Sequence, residues 1–258
     1  MRRLILDEPY SQTALWSRRL ATFAIAVAAI SVVLSRARAV EMTAGLAVFG
    51  AAILVACVAV LLALTAGVVI WRTGRRGGSI AFAGLVLAVM LLAYPAWLTV
   101  KAVQLPVVND VSTDLVDPPN FSLSAKAQAA RSGYTPRSLT GGWSEKQRHD
   151  YPDIQPIVLD LEADDAYQLV LKAVAVRGWQ IIDQMPPGGR IGLGHIDAIS
   201  RSLVMGFPDD ITIRIRPLAG QTRIDVRSAS RYGRHDFGSN ARHISDFSDE
   251  LQTQLDAR

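Results

Sequence analysis

Apolar positions follow two regimes along this chain of 258 residues. In the first hundred residues they are continuous, and beyond about residue 160 they recur with the periods of amphipathic helices and half-buried strands. The continuous part holds three runs, Leu20 to Leu34, Met42 to Ile70 and Ile80 to Val100. A helix needs about 20 apolar residues to cross the hydrocarbon of a bilayer. The second and third runs qualify outright, whereas the first reaches that length only by drawing in Trp16 and Ser35 to Val40. These runs predict a transmembrane anchor over 1–104 with helices at about 16–38, 43–71 and 79–101. In the second, Gly45, Gly50, Ala51, Ala52, Ala56, Ala59, Ala63 and Gly67 offer small side chains that let helices approach closely. No ionisable residue interrupts the centre of a run, which argues for an anchor and against a transporter or proton channel.

Residues 105–160 show no period, and prolines at 106, 118, 119, 136, 152 and 156 with Gly141-Gly142 predict an irregular arm packed on the domain that follows. Two stretches of the arm stand out, Asn109-Asp110-Val111-Ser112-Thr113-Asp114 and Tyr151-Pro152-Asp153-Ile154-Gln155-Pro156. The first is a secondary polar cluster of Asn109, Asp110, Ser112, Thr113 and Asp114, suited to capping turns and bonding backbone amides. Asp110, Asp114 and Asp117 could also ligate a hard cation, but they lack the spacing of a calcium loop, so no metal is expected.

Periodicity returns in 161–258. Glu162 to Gly178 predicts a helix with Asp164 or Asp165 capping its start, Tyr167, Val170, Ala173 and Val174 on one face and Gly178 at its end. Trp179 to Gln184 and Arg190 to Ile199 predict two strands around a turn at 185–189. Gly192-x-Gly194 falls inside the second of them and lacks a third glycine, which excludes a dinucleotide fingerprint. Ile211, Ile213 and Ile215 alternate with polar residues, as do Thr222, Ile224 and Val226 after Pro217-Leu218-Ala219-Gly220. Taking those four residues as the hairpin loop, Ile213 faces Ile224, Asp210 faces Arg227, and Arg214 faces Arg223 with Asp225 on a diagonal. Ala241, Ile244, Phe247, Leu251 and Leu255 share the face of a final helix from Ser239 or Asn240. The expected fold class is α+β: a three-helix transmembrane unit, then four antiparallel strands with two helices on one face.

Charge orients the anchor. Residues 1–100 carry nine Arg against Asp7, Glu8 and Glu41, a net of +6, while 101–258 carry eighteen basic and twenty acidic residues, a net of −2. The basic excess thus belongs to the membrane half and does not argue for a nucleic-acid partner. Arg2, Arg3, Arg18, Arg19, Arg72, Arg75 and Arg76 lie on one side of the runs, against Arg36, Arg38 and Lys101 on the other. Seven against three predicts a multi-pass protein of the bacterial inner membrane with a cytoplasmic N-terminus and a periplasmic C-terminal domain. Ser17-Arg18-Arg19 before a short apolar stretch ending in Ala37-Arg38-Ala39 imitates a cleaved twin-arginine signal; cleavage would leave two spans and the domain on the same side. The lone cysteine, Cys57, cannot form an intrachain disulfide.

The residues least like scaffolding run from Arg227 to Asn240. Arg227, Arg231 and Arg234, with Ser228, Ser230 and Asn240, could hold a phosphate or carboxylate beside the start of a helix. Alternatively Asp209, Asp210 and Asp236 neutralise those arginines, and the loop is an internal latch between sheet, helix and arm. His235-Asp236 beside Ser228 or Ser230 has the ingredients of a hydrolase, yet adjacent loop residues point apart and no Gly-x-Ser-x-Gly elbow exists. His149, His195, His235 and His243 lack zinc-ligand spacing, and no cofactor is expected.

Phe207-Pro208-Asp209-Asp210-Ile211, Arg227-Ser228-Ala229-Ser230-Arg231 and Gly233 to Asn240 together resemble a bacterial and plastid family, the domain of unknown function numbered fourteen ninety-nine. The resemblance runs from about Asn109 to Leu251, and Asn109 to Thr113 is similar to that family's Asn-Cys-Val-Ser motif with Asp110 in the cysteine's place. It implies a shared fold and site but no activity, and thiol chemistry has no carrier here. The expected function is a non-catalytic binding or assembly module with the lipid bilayer and an envelope protein or lipid as partners, the alternative being an envelope hydrolase.

Overall fold

The computed structural model describes residues 9–134, 136, 142–188 and 192–257. Arg2, Arg3, Asp7 and Glu8 of the charge count, Gly141 of the arm, and Gly189 and Arg190 at the predicted turn lie outside the described residues. Two compact units divide the chain, Met1–Lys101 and Ala102–Arg258.

In the first unit, three long apolar helices follow one another: α1 (Gln12–Arg36), α2 (Met42–Thr73) and α3 (Gly78–Gln104). The shortest has 25 residues, about 37 Å at roughly 1.5 Å per residue, which exceeds the hydrocarbon thickness of about 30 Å. Their buried side chains are small. On α1 these are Ala14, Ser17, Ala21, Ala24, Ala28, Ser31 and Ser35, in alternating steps of three and four that keep one seam on one side. Gly45, Ala52, Ala56, Ala59 and Ala63 line α2 as expected, whereas Ala51 and Gly67 point outward because they fall off that seam. Large residues such as Leu54, Leu61, Phe82 and Met90 are exposed, the arrangement suited to lipid contact. Ser17 Oγ donates to Ala59 O at 3.0 Å and Ser31 Oγ to Gly45 O at 2.7 Å, bonds between helices that need close backbones.

The second unit is an α+β sheet domain with six strands, two more than the pattern predicts: β1 (Asp110–Ser112), β2 (Ile157–Leu159), β3 (Gln180–Met185), β4 (Gly194–Arg201), β5 (Pro208–Pro217) and β6 (Thr222–Ser230). Both additional strands come from the arm and pair along the outer edge of β6; three residues are too few to display a period. The main path is β1-β6-β5-β4-β3, antiparallel throughout. Between β1 and β2 the arm forms two short helices, α4 (Ala125–Ala130) and α5 (Trp143–Asp150).

Helix α6 (Ala163–Val176) ends as its sequence predicts, in a Schellman turn with Gly178 at φ +67°, Gly178 N bonded to Ala175 O and Trp179 N to Val174 O. Its start differs, because Glu162 precedes the first turn and Asp164 and Asp165 lie within it, with no capping bond from Glu162. Tyr167, Val170, Ala173 and Val174 of α6 pack with Ile244, Phe247 and Leu251 of α7 (Ser239–Asp256) onto Ile196, Ile211, Ile213, Ile215, Ile224 and Val226. Both helices thus cover one face of the sheet.

The β5–β6 hairpin is registered two residues away from its sequence expectation. Pro217 pairs with Thr222, the loop is Leu218 to Gln221, and Leu218 N donates to Gln221 O at 2.8 Å. Ile213 therefore faces Val226, Asp210 faces Ala229 and Arg227 faces Thr212. A shift of two preserves which face each side chain takes, so alternation alone cannot choose between the registers. Gly220, at φ +74°, positions the turn. The observed register also brings Arg214 opposite Asp225 instead of Arg223.

Candidate functional site

Strand alternation splits the polar stretch between the two faces of the sheet. Ser228 and Ser230 of β6 turn towards α7, whereas Arg227, and Arg231 just beyond the strand, turn towards the arm. Two networks result.

On the arm side, Arg227 binds Asp110 with both ends of its fork, Nε at 2.9 Å and Nη2 at 2.7 Å, and not Asp210. Arg231 grips Asp210 the same way, each contact at 2.8 Å. Arg131, fully buried, bridges Asp210 and Asp197 and donates to Ser122 O. The Phe121 ring lies beneath the guanidinium groups of Arg227 and Arg131, at 4.9 and 5.4 Å, and Tyr134 beneath Arg231 at 5.5 Å. Burial alone would raise Asp197, but His195 and Arg131 together hold its carboxyl below the ordinary range. Further along the face, Arg214 and Arg223 share Asp225 and Asp114. Burial opposes ionisation of Asp114, yet the amides of Asp117 and Val116, with Arg223 and Arg214, hold it low. This is a turn-forming aspartate tied to arginine; among the described residues no His, Cys, Asp and Glu cluster is arranged to hold a metal.

Ser112 and Gln147 complete the arm side. Ser112 N donates to Gln147 Oε1 at 2.9 Å, and Gln147 Nε2 returns a bond to Ser112 O at 2.6 Å. Trp143 Nε1 donates to Asp110 O, so α5 is pinned to β1.

The helix side is organised by Asp236, whose carboxylate accepts from Gly238 N at 2.8 Å and Asn240 N at 2.9 Å at the start of α7. A negative group there meets the free amides of the first turn, although burial pushes its pKa up. Ser228 Oγ donates to Asn240 Oδ1 at 2.7 Å, and Asn240 Nδ2 donates to Ser230 Oγ at 3.0 Å. Having given its proton to Asn240, Ser228 Oγ accepts from His243 Nδ1 at 3.2 Å, which leaves His243 Nε2 as acceptor towards Ser200 Oγ at 3.3 Å. Asp209, bonded by Ser239 Oγ at 3.3 Å, is pushed up to about 6 by burial, and the carboxylate of Asp236 adds to the rise. Burial pulls His243 down to about 4. Its imidazole is therefore neutral at pH 7 and packs edge-on to Trp179.

Of the residues singled out from sequence, Asp110, Arg227, Asp210 and Arg231 meet on the arm side, and Asp209, Ser228, Ser230, Asp236 and Asn240 on the helix side. Asn109 lies at the rim, where its Nδ2 donates to Gly233 O, and Thr113 Oγ1 accepts from Val226 N. Arg234 is exposed and takes part in neither network. Among the described residues His235 bonds Leu105 O and Phe237 N and no serine, and the histidine beside Ser228 is His243. That serine is fully buried. Phe121, Arg131, Gln147 and Asp197 escape the sequence reading, and only Arg131, a lone arginine in an alanine-rich helix end, carries even a faint signal. His243, which that reading weighs only as a zinc ligand and expects at the surface, instead packs between Ser228 and Ser200.

No curated protein matches the chain. A family model described as protein of unknown function, DUF1499, matches residues 110–251, from the first residue of β1 to the last buried leucine of α7. That span covers more than half of the sequence and both polar networks, and the chain belongs to this family.

Proposed function

We propose that the protein is a membrane-anchored, non-catalytic binding or assembly module of the bacterial envelope, inserted in the inner membrane with its N-terminus in the cytoplasm and its C-terminal domain in the periplasm. The observation that carries the non-catalytic reading is the closure of both networks. Arg227 and Arg231 are committed to Asp110 and Asp210 over aromatic rings, and Ser228 and Asp236 are committed to α7. The stretch 227–240 then acts as the latch that holds arm, sheet and helix together, and leaves recognition to the surface around it. The arginine imbalance across the apolar runs supports the orientation.

Two measurements test this. Alkaline phosphatase fused after Arg258 is expected to be active, and an inactive fusion at normal expression overturns the orientation. Mass spectrometry of the full-length protein extracted in detergent is expected to find an envelope lipid, metabolite or protein enriched over an unrelated three-span control. Equal recovery from both overturns the binding module.

A further inference from the structure

We propose that the cleft between the two ends of the arm is a binding site for a small anion, a phosphate or carboxylate carried on a short apolar body. The inference rests on the reading of the domain as a binding module and names its site. The cleft encloses about 330 Å³ between Thr113, Asp114 and Leu115 on one side and Tyr151, Pro152 and Ile154 to Pro156 on the other, with Arg148 of α5 and Arg223 of β6 at its walls. That volume is at the lower end of small-molecule sites, which begin at roughly 300 Å³.

Three donors there are uncommitted. Arg148 is exposed and has no hydrogen-bond or ion-pair partner among the described residues. Arg223 spends Nε on Asp225 and Nη2 on Asp114, each at 2.7 Å, which leaves Nη1 with both hydrogens free. The Thr113 hydroxyl is buried and accepts from Val226 N at 2.9 Å, so its own hydrogen still needs an acceptor. The one acidic lining residue, Asp114, already receives the amides of Val116 and Asp117 and the guanidinium groups of Arg214 and Arg223. Arg223 is neutralised by Asp225 and Asp114, so the positive excess of the lining is the charge of Arg148, with the free Nη1 of Arg223 as a second donor, and guanidinium groups favour phosphate and carboxylate oxygens. Tyr151 and Pro152 supply the apolar wall. The Tyr-Pro-Asp-Ile-Gln-Pro stretch, which neither polar network uses, thereby acquires a role.

The phosphate could be free or part of a lipid headgroup, and two arms separate these sources. Full-length protein in phosphatidylcholine nanodiscs is titrated calorimetrically with inorganic phosphate and with glycerol 3-phosphate. Protein in mixed nanodiscs is assayed by native mass spectrometry for retained phosphatidylglycerol. Saturable binding in either arm is expected, weakened about tenfold by Arg148→Ala and partly restored by Arg148→Lys, with an unchanged melting temperature because Arg148 has no hydrogen-bond or ion-pair partner among the described residues. Absence of binding in both arms, or binding that Arg148→Ala leaves intact, overturns the cleft. An envelope component that co-purifies equally with wild type and Arg148→Ala would leave the binding-module reading standing and move its site elsewhere.

Discussion

At the scale of single residues, the domain depends on arginine–aspartate pairs removed from water. Removing one partner of a buried pair leaves an uncompensated charge, which costs about 3–5 kcal/mol. Arg227 and Asp110 are both largely buried, so Arg227→Ala should lower the stability of the sheet domain by that amount, measured as the urea midpoint of the full-length protein in detergent. A loss below half a kcal/mol would mean that the pair contributes little. Replacing both partners by apolar residues should be far milder than either single change.

Asp209 and His243 give the helix side a second testable property, because their shifts oppose each other. Asp209 titrates at about 6 in the fold and at about 3.9 in the unfolded chain, so its contribution to stability is complete below about pH 4 and lost as pH rises through 6. His243 titrates at about 4 in the fold and about 6.5 unfolded, so its contribution is complete above about pH 6.5 and lost as pH falls through 4. Each is worth roughly 3 kcal/mol at its limit. Between pH 4 and 6 the two offset, and urea midpoints of the wild type should vary little on their account. Asp209→Asn should unmask a decline towards acid, and His243→Gln a decline towards pH 6. Parallel curves for the three proteins would show that neither shift contributes.

Elements join through backbone approach as much as through side chains. In the anchor, a Cβ on Gly84 of α3 would lie 2.8 Å from Arg18 N of α1 and closer still to Ser17 Oγ. Neither helix backbone can yield cheaply, so Gly84→Ala should cost about 1–3 kcal/mol and lower the aggregation temperature of the detergent-solubilised protein by several degrees. Gly50→Ala, with open space around the new carbon and a better helix former in place of glycine, should leave that temperature unchanged or raise it slightly. In the sheet domain, β1 and β2 protect the edge of β6, and an unpaired edge invites association between chains. The arm is therefore part of the sheet and not an appendage to it. Its strands escaped sequence analysis because three residues carry no period, and because Pro118 and Pro119 nearby suggested irregular chain throughout.

For the whole molecule, the proposed orientation rests on arginine counts. Replacing Arg72, Arg75 and Arg76 with glutamine leaves four positive residues against three, so a C-terminal alkaline phosphatase should lose a substantial part of its activity as orientations mix. Undiminished activity would mean that another signal orients the chain.

Sequence alone was enough for the features that follow from local periodicity and composition: three apolar helices, the amphipathic faces of α6 and α7, the Gly178 stop, and the alternation that sends Arg227 and Ser228 to opposite faces. Each is determined by neighbours within a few residues, where 3.6-residue and two-residue periods write themselves into the chain. Tertiary structure alone decided the partners. Arg227 meets Asp110 across 117 positions and Arg131 meets Asp210 across 79, and the β5–β6 register took one of two choices that alternation leaves equivalent. Periodicity orients a side chain towards a face; which residue waits there depends on how distant segments close over the sheet.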